Sequence, residues 1–116
     1  MFNFLTRVSD TNPLPVVPAT LALPDGTDRS GTITVANTAQ DVAVANPVRT
    51  SLTFQNISDT LMYVSENGSP ASAGAGSYAV AGVINGVPSP GVNVGTNKRI
   101  SVFCAVVGKA FTATES

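Results

Sequence analysis

No stretch of this chain holds a helical pattern for three turns, and its apolar residues instead recur in short alternating runs cut by turn residues. Alternation with a period of two is the mark of a half-buried strand. The pattern begins near Thr32. Residues 32–36 and 41–45 alternate cleanly, with a turn-like link at 37–40. In residues 49–56, Leu52 and Phe54 share one face, and Arg49, Ser51, Thr53 and Gln55 share the other. Residues 60–64 read as the hairpin partner of that strand, and the Asn67-Gly68-Ser69-Pro70 sequence breaks the chain. A low-complexity loop at 71–76 follows, then a strand at 77–81. Asn85-Gly86 and Pro88-Ser89-Pro90-Gly91 mark two more turns. Residues 97–106 form the second strong strand, with Ile100, Val102 and Cys104 on one face, and residues 110–113 form the last. Seven or eight strands, with a turn about every eight to twelve residues, predict an all-β fold, a single small β-sandwich or barrel. Jelly-roll connectivity is compatible with this spacing, which does not itself give strand order.

The first part of the chain is different. Pro13, Pro15, Pro18 and Pro24 each remove a backbone donor and bias the preceding residue to extended geometry. We therefore expect an extended N-terminal arm over residues 1–31 and a β-domain over 32–116. The arm is not polar enough to be a solvated tail. Its apolar residues Phe2, Phe4, Leu5, Val16, Val17, Leu21 and Leu23, together with Arg7, are the candidate partner-interface residues. Ordering an arm costs about 1–2 kcal/mol per residue. Burying each large apolar side chain returns about 1.5–3 kcal/mol. The near balance predicts an arm that orders against a surface, its own domain's or a neighbour's.

Composition narrows the function. Of the 116 residues, 11% are charged, against about 25% in ordinary soluble domains. Such a surface resists association poorly and points to a homo-oligomer or a larger assembly. The net charge is −1, and the six basic residues form no run longer than Lys98-Arg99, which argues against nucleic acid as partner. No apolar run is long enough to cross a bilayer as a helix, and no secretory leader is recognisable, so the expectation is no membrane partner.

The search for chemistry finds little. The chain has no histidine, the commonest general base and metal ligand. Cys104 is the one cysteine and sits in an apolar run, as a small core residue does; the lack of a possible intrachain disulfide favours a reducing compartment. Most of the acids fall beside turn residues. Asp25-Gly26-Thr27-Asp28 lacks the dense oxygen ligands of a calcium loop. The glycines at 74 and 76 are followed by no lysine and no helix, unlike a phosphate loop. Asn56-Ile57-Ser58 and Asn67-Gly68-Ser69 match the glycosylation sequon by composition alone. The expectation is a protein without catalytic residues, cofactor or metal.

Two segments carry a resemblance. Asn46-Pro-Val-Arg-Thr-Ser-Leu-Thr-Phe-Gln-Asn-Ile-Ser-Asp-Thr-Leu-Met-Tyr-Val64, with the glycine-rich loop after it, is similar to a segment of small virion proteins of tailed bacteriophages. Ile100-Ser-Val-Phe-Cys-Ala-Val-Val-Gly-Lys-Ala-Phe-Thr-Ala-Thr-Glu115 resembles their closing segment. The similarity breaks at residues 83–95 and does not extend to the first forty residues. It implies a virion structural protein assembled in the host cytoplasm. The role it implies is capsid decoration or cement, with the major capsid protein or other virion proteins as partners. A tail, connector or fibre-base component is the alternative, and a carbohydrate-binding or other ligand-binding β-module a more distant one.

Overall fold

The computed structural model describes residues 26–116. The arm residues named above, Phe2 to Leu23, lie outside the described residues. The described chain is all-β. Its strands are β1 (Thr27–Asp28), β2 (Gly31–Thr32), β3 (Gln40–Ala43), β4 (Leu52–Asn56), β5 (Met62–Ser65), β6 (Tyr78–Val80), β7 (Val92–Val94), β8 (Ile100–Cys104) and β9 (Ala110–Glu115).

They form two antiparallel sheets. The first runs β1-β9-β4-β7, with β2 also on β9; the second runs β3-β8-β5-β6. β1 and β2 meet one side of β9 in succession, Thr27 opposite Glu115 and Gly31 opposite Phe111, so together they are one interrupted edge strand. Counted that way, the sheets read first-eighth-third-sixth and second-seventh-fourth-fifth. This is jelly-roll connectivity, in which the chain crosses between sheets at each step except the hairpin from β5 to β6.

The alternation read from the sequence builds the core. Leu52 and Phe54 from β4, Met62 and Val64 from β5, Ile100, Val102 and Cys104 from β8, and Phe111 and Ala113 from β9 are all buried. Phe54 and Phe111 stack across the β4–β9 pair with ring centroids 5.3 Å apart. Tyr63 and Phe103 pair edge-to-face on the outer side of the second sheet, with centroids 6.3 Å apart.

Several expectations shift. Sheet pairing begins at Thr27, ahead of Thr32. The strand expected at 32–36 pairs as β2 only over Gly31–Thr32, and its outer edge is taken up by the Gln40 side chain: Oε1 accepts from the Thr34 amide at 3.0 Å, and Nε2 donates to the Thr32 carbonyl at 2.8 Å. A bulge between Asp41 and Ala43 puts the adjacent Val42 and Ala43 both into the core, which strict alternation does not allow. β7 falls in the stretch that the sequence reading left unassigned between the turn ending at Gly91 and the strand starting at Asn97, since Val92-Asn93-Val94 is too short to show a period. The glycine-rich loop after β5 lies against β8: the Ala71 amide donates to Ser101 Oγ at 2.9 Å, and Ala71 and Ser101 are both buried.

Candidate functional site: a closed polar end and an open apolar end

The strand directions give the sandwich two ends. Loops 44–51, 66–77 and 95–99 gather at one, beside Thr27 and Glu115; loops 33–39, 57–61, 81–91 and 105–109 gather at the other.

The first end is closed around an ion pair. Glu115 continues the core-facing parity of Phe111 and Ala113, so its carboxylate points inward and needs a partner. Arg49 supplies it, with Nη1 2.5 Å from Oε2 and both side chains almost wholly buried. The remaining Arg49 donors are spent on backbone: Nε on the Thr96 carbonyl at 3.0 Å, Nη1 also on the Val44 carbonyl at 3.0 Å, and Nη2 on the Lys98 carbonyl. One guanidinium thus ties loop 44–51 to loop 95–99. Arg29 Nε donates to Glu115 Oε1 at 3.0 Å from the edge of the sheet, and Asn46 Nδ2 reaches Oε2 at 3.4 Å. Burial pushes the Glu115 carboxyl up, but the hydrogen bonds from Arg49, Arg29 and Asn46 outweigh it and hold the group below its ordinary value.

Sequence reading missed this cluster. It set Arg49 on the polar face of its strand and the acids beside turns. Arg49 precedes the first paired residue of β4, where strand parity no longer governs direction. The available signal was an acid at core parity in β9. A shallow depression of about 590 Å3 opens beside the cluster, between Asn46, Asn67, Asn97 and Lys98. Two of its amide oxygens are engaged within the fold: Asn67 Oδ1 accepts from Ser65 and Ser69, and Asn46 Oδ1 accepts from the Val48 amide. Among the described residues no group of three or more His, Cys, Asp or Glu is arranged to hold a metal ion.

The opposite end is open and apolar. Val35, Ile57, Leu61, Ile84, Val87, Val106 and Val107 are exposed there, which is seven of the nine large apolar side chains exposed among the described residues. The loops carrying them are braced to one another. Asn56, fully buried, donates to the Thr60 carbonyl at 2.7 Å and the Val80 carbonyl at 2.9 Å, while its Oδ1 accepts from the Ser58 hydroxyl at 2.6 Å. The Val83 amide donates to the Ser58 carbonyl at 2.7 Å. Gly82 permits this approach, because a Cβ there would lie 2.2 Å from the same oxygen. Lys109 Nζ bonds Asp59 at 2.8 Å and holds that carboxyl below its ordinary value. The Gly108 amide donates to the Ile33 carbonyl at 2.8 Å. Ile84 and Val87 flank a two-residue turn in which Asn85 and Gly86 both take positive φ, the hairpin geometry expected of Asn-Gly. This end presents apolar side chains to solvent, with the Lys109–Asp59 ion pair among them.

Of the residues behind the virion-protein resemblance, Asn56, Ser58, Asp59 and Thr60 therefore build the apolar end, and Arg49 and Glu115 close the polar one. The buried Asn56 amide is unavailable as a sugar acceptor in the folded chain. Comparison with protein-family models, with curated proteins and with solved structures finds no match for this chain.

Proposed function

We propose that this chain is a structural protein of a tailed-bacteriophage virion, a decoration or cement protein that seats its apolar end on the capsid shell and performs no chemistry. The observation that carries the reading is the concentration of exposed apolar side chains on four mutually braced loops. Exposed apolar surface gathered in one place on a pre-organised scaffold is the character of a protein-docking face. Its fixed loops lower the ordering cost of each contact, which suits a protein that must occupy many identical sites. The resemblance of residues 46–64 and 100–115 to small phage virion proteins supplies the kind of partner. A jelly roll alone would not, since that architecture serves many functions.

The test is the copy number of the chain in purified particles, by quantitative mass spectrometry against the major capsid protein. Hundreds of copies support decoration. A handful would move the protein to the tail, connector or fibre base, and absence from particles would remove the virion reading. Binding to undecorated shells then assigns the face: Val87→Asp with Val107→Asp should abolish it.

A further inference from the structure

Between the two sheets, on the side where both end in short edge strands, lies an apolar cleft of about 240 Å3. β6 and β7 form its rims; Val64, Val80, Val92 and Val94 line it together with Glu66 and Asn93, and Tyr78 is 64% exposed. The outer edges of β6 and β7 pair with no other strand of the described residues. Cleft and apolar loop end are distinct surfaces, so one does not compete with the other.

The chain enters the first sheet at the edge farthest from this cleft. Thr27 pairs with Glu115 in β9, and β9 and β4 separate β1 from β7. The described chain therefore begins, at Gly26, on the side of the sandwich opposite the cleft. Four strands set these edges about 14–15 Å apart, at roughly 4.8 Å per strand spacing. To fill its own cleft the chain would have to cross the outer face of the first sheet and turn in at the far edge. For a copy standing alongside in the same orientation, the cleft edge faces the edge from which the neighbour's residues 1–25 depart. Residues 19–25, the stretch between Pro18 and the described chain, span at most about 25 Å when extended, which suffices for an abutting copy.

We infer that the cleft between β6 and β7 receives the proline-rich segment 12–18 of an adjacent copy of this chain. Asn12-Pro-Leu-Pro-Val-Val-Pro18 suits it on three counts. Its prolines favour extended backbone before binding, which lowers the ordering cost. Leu14, Val16 and Val17 are of a size to enter an apolar groove, and a groove walled by a tyrosine is a recurrent receptor for proline-rich segments. Pro13, Pro15 and Pro18 lack amide donors, so the segment cannot continue as a regular strand of either sheet and the contact rests on side chains. Contacts of this kind join unlike surfaces, edge to cleft, and make a ring where the rotation from copy to copy closes on itself. An axis parallel to the strands would leave every apolar loop end facing the same way. The inference deepens the decoration reading by supplying the oligomer that presents those ends, but the contact itself requires no shell.

The test is made on full-length chains in solution, by sedimentation velocity. Wild-type protein should form a discrete oligomer. Val16→Asp with Val17→Asp spoils the segment, and Tyr78→Glu with Val92→Glu spoils the cleft; unchanged circular dichroism and melting certify each variant as folded, and Tyr78→Glu alone serves if the double substitution unfolds. Each variant alone should be monomeric. Mixed in equal amounts they should give a dimer and nothing larger, because one chain still offers a segment and the other a cleft. A cleft variant that assembles like wild type, a mixture that stays monomeric, or a monomeric wild type would each overturn the inference. Val87→Asp with Val107→Asp should assemble normally while losing the shell, so failure of this contact and failure of the decoration reading are read separately.

Discussion

The two ends of the sandwich solve opposite problems with the same device, loops cross-linked by side-chain and backbone hydrogen bonds. At the polar end the cross-links run inward: Arg49 and Glu115 bury their charges and leave the loops fastened over them. At the apolar end they run between loops, through Asn56, Ser58 and Gly82, and leave valine, leucine and isoleucine side chains in water. The polar end thus spends its specific groups on holding the fold, and the apolar end holds its shape in order to present what the fold does not need. Stability and binding should therefore separate by end, which is open to direct attack.

The hardest blow to the comparison is Arg49→Ala. It leaves the Glu115 carboxylate buried without its main partner and should cost about 3–5 kcal/mol in urea unfolding. Replacing both members by apolar residues, Arg49→Met with Glu115→Leu, should recover most of that loss. A single substitution costing under about 1 kcal/mol would show that the ion pair does not hold this end together.

Gly82→Ala probes the bracing of the apolar end. The added Cβ must push loop 81–91 off the Ser58 carbonyl, a loss of about 1–3 kcal/mol. If the apolar end is the docking face proposed above, binding to undecorated shells should weaken more than stability alone explains.

Acid probes the polar end again. The Glu115 carboxyl lies below its ordinary 4.5 in the folded chain. Its contribution is therefore fully present above the unfolded value and is lost as pH falls through the lower folded one. Melting temperature should drop below about pH 4.5, and Glu115→Gln, less stable at neutral pH, should flatten that part of the profile. An identical acid slope in the variant would place the titrating group elsewhere.

The smallest expected change in stability comes from Val87→Asp with Val107→Asp. Both residues are exposed, so unfolding free energy should stay within about 0.5 kcal/mol of wild type. A large loss would mean that the apolar end supports the fold and that the division between ends is false.

How much of this was legible in the sequence follows from the range of each interaction. Alternation is local, and it located the core positions Leu52, Phe54, Ile100, Val102 and Cys104. Turn chemistry is local too, and Asn85-Gly86 turns where it was expected. The bulge at Asp41–Ala43 and the three-residue β7 left no periodic trace. The arm residues, the only candidate interface read from the sequence, lie outside the described residues. The apolar platform was invisible for another reason. Its side chains come from four loops far apart in sequence, each exposing only one or two large apolar residues, which in isolation mean nothing. The meeting of Arg49 with Glu115, across most of the domain, could be inferred only in part, from the core parity of the acid.

The position of β9 also sets an order in time. It lies between the interrupted edge strand and β4, yet it follows both in the chain. On a ribosome, β1 and β2 emerge with nothing to pair with, and Arg49 waits without its counter-charge, until residues 110–115 arrive. Pairings of such long sequence separation close slowly because the loop entropy is met before any contact rewards it. During that interval the edge next to residues 1–25 is unpaired. If those residues join copies together, assembly is held back until the sheet that anchors them has closed.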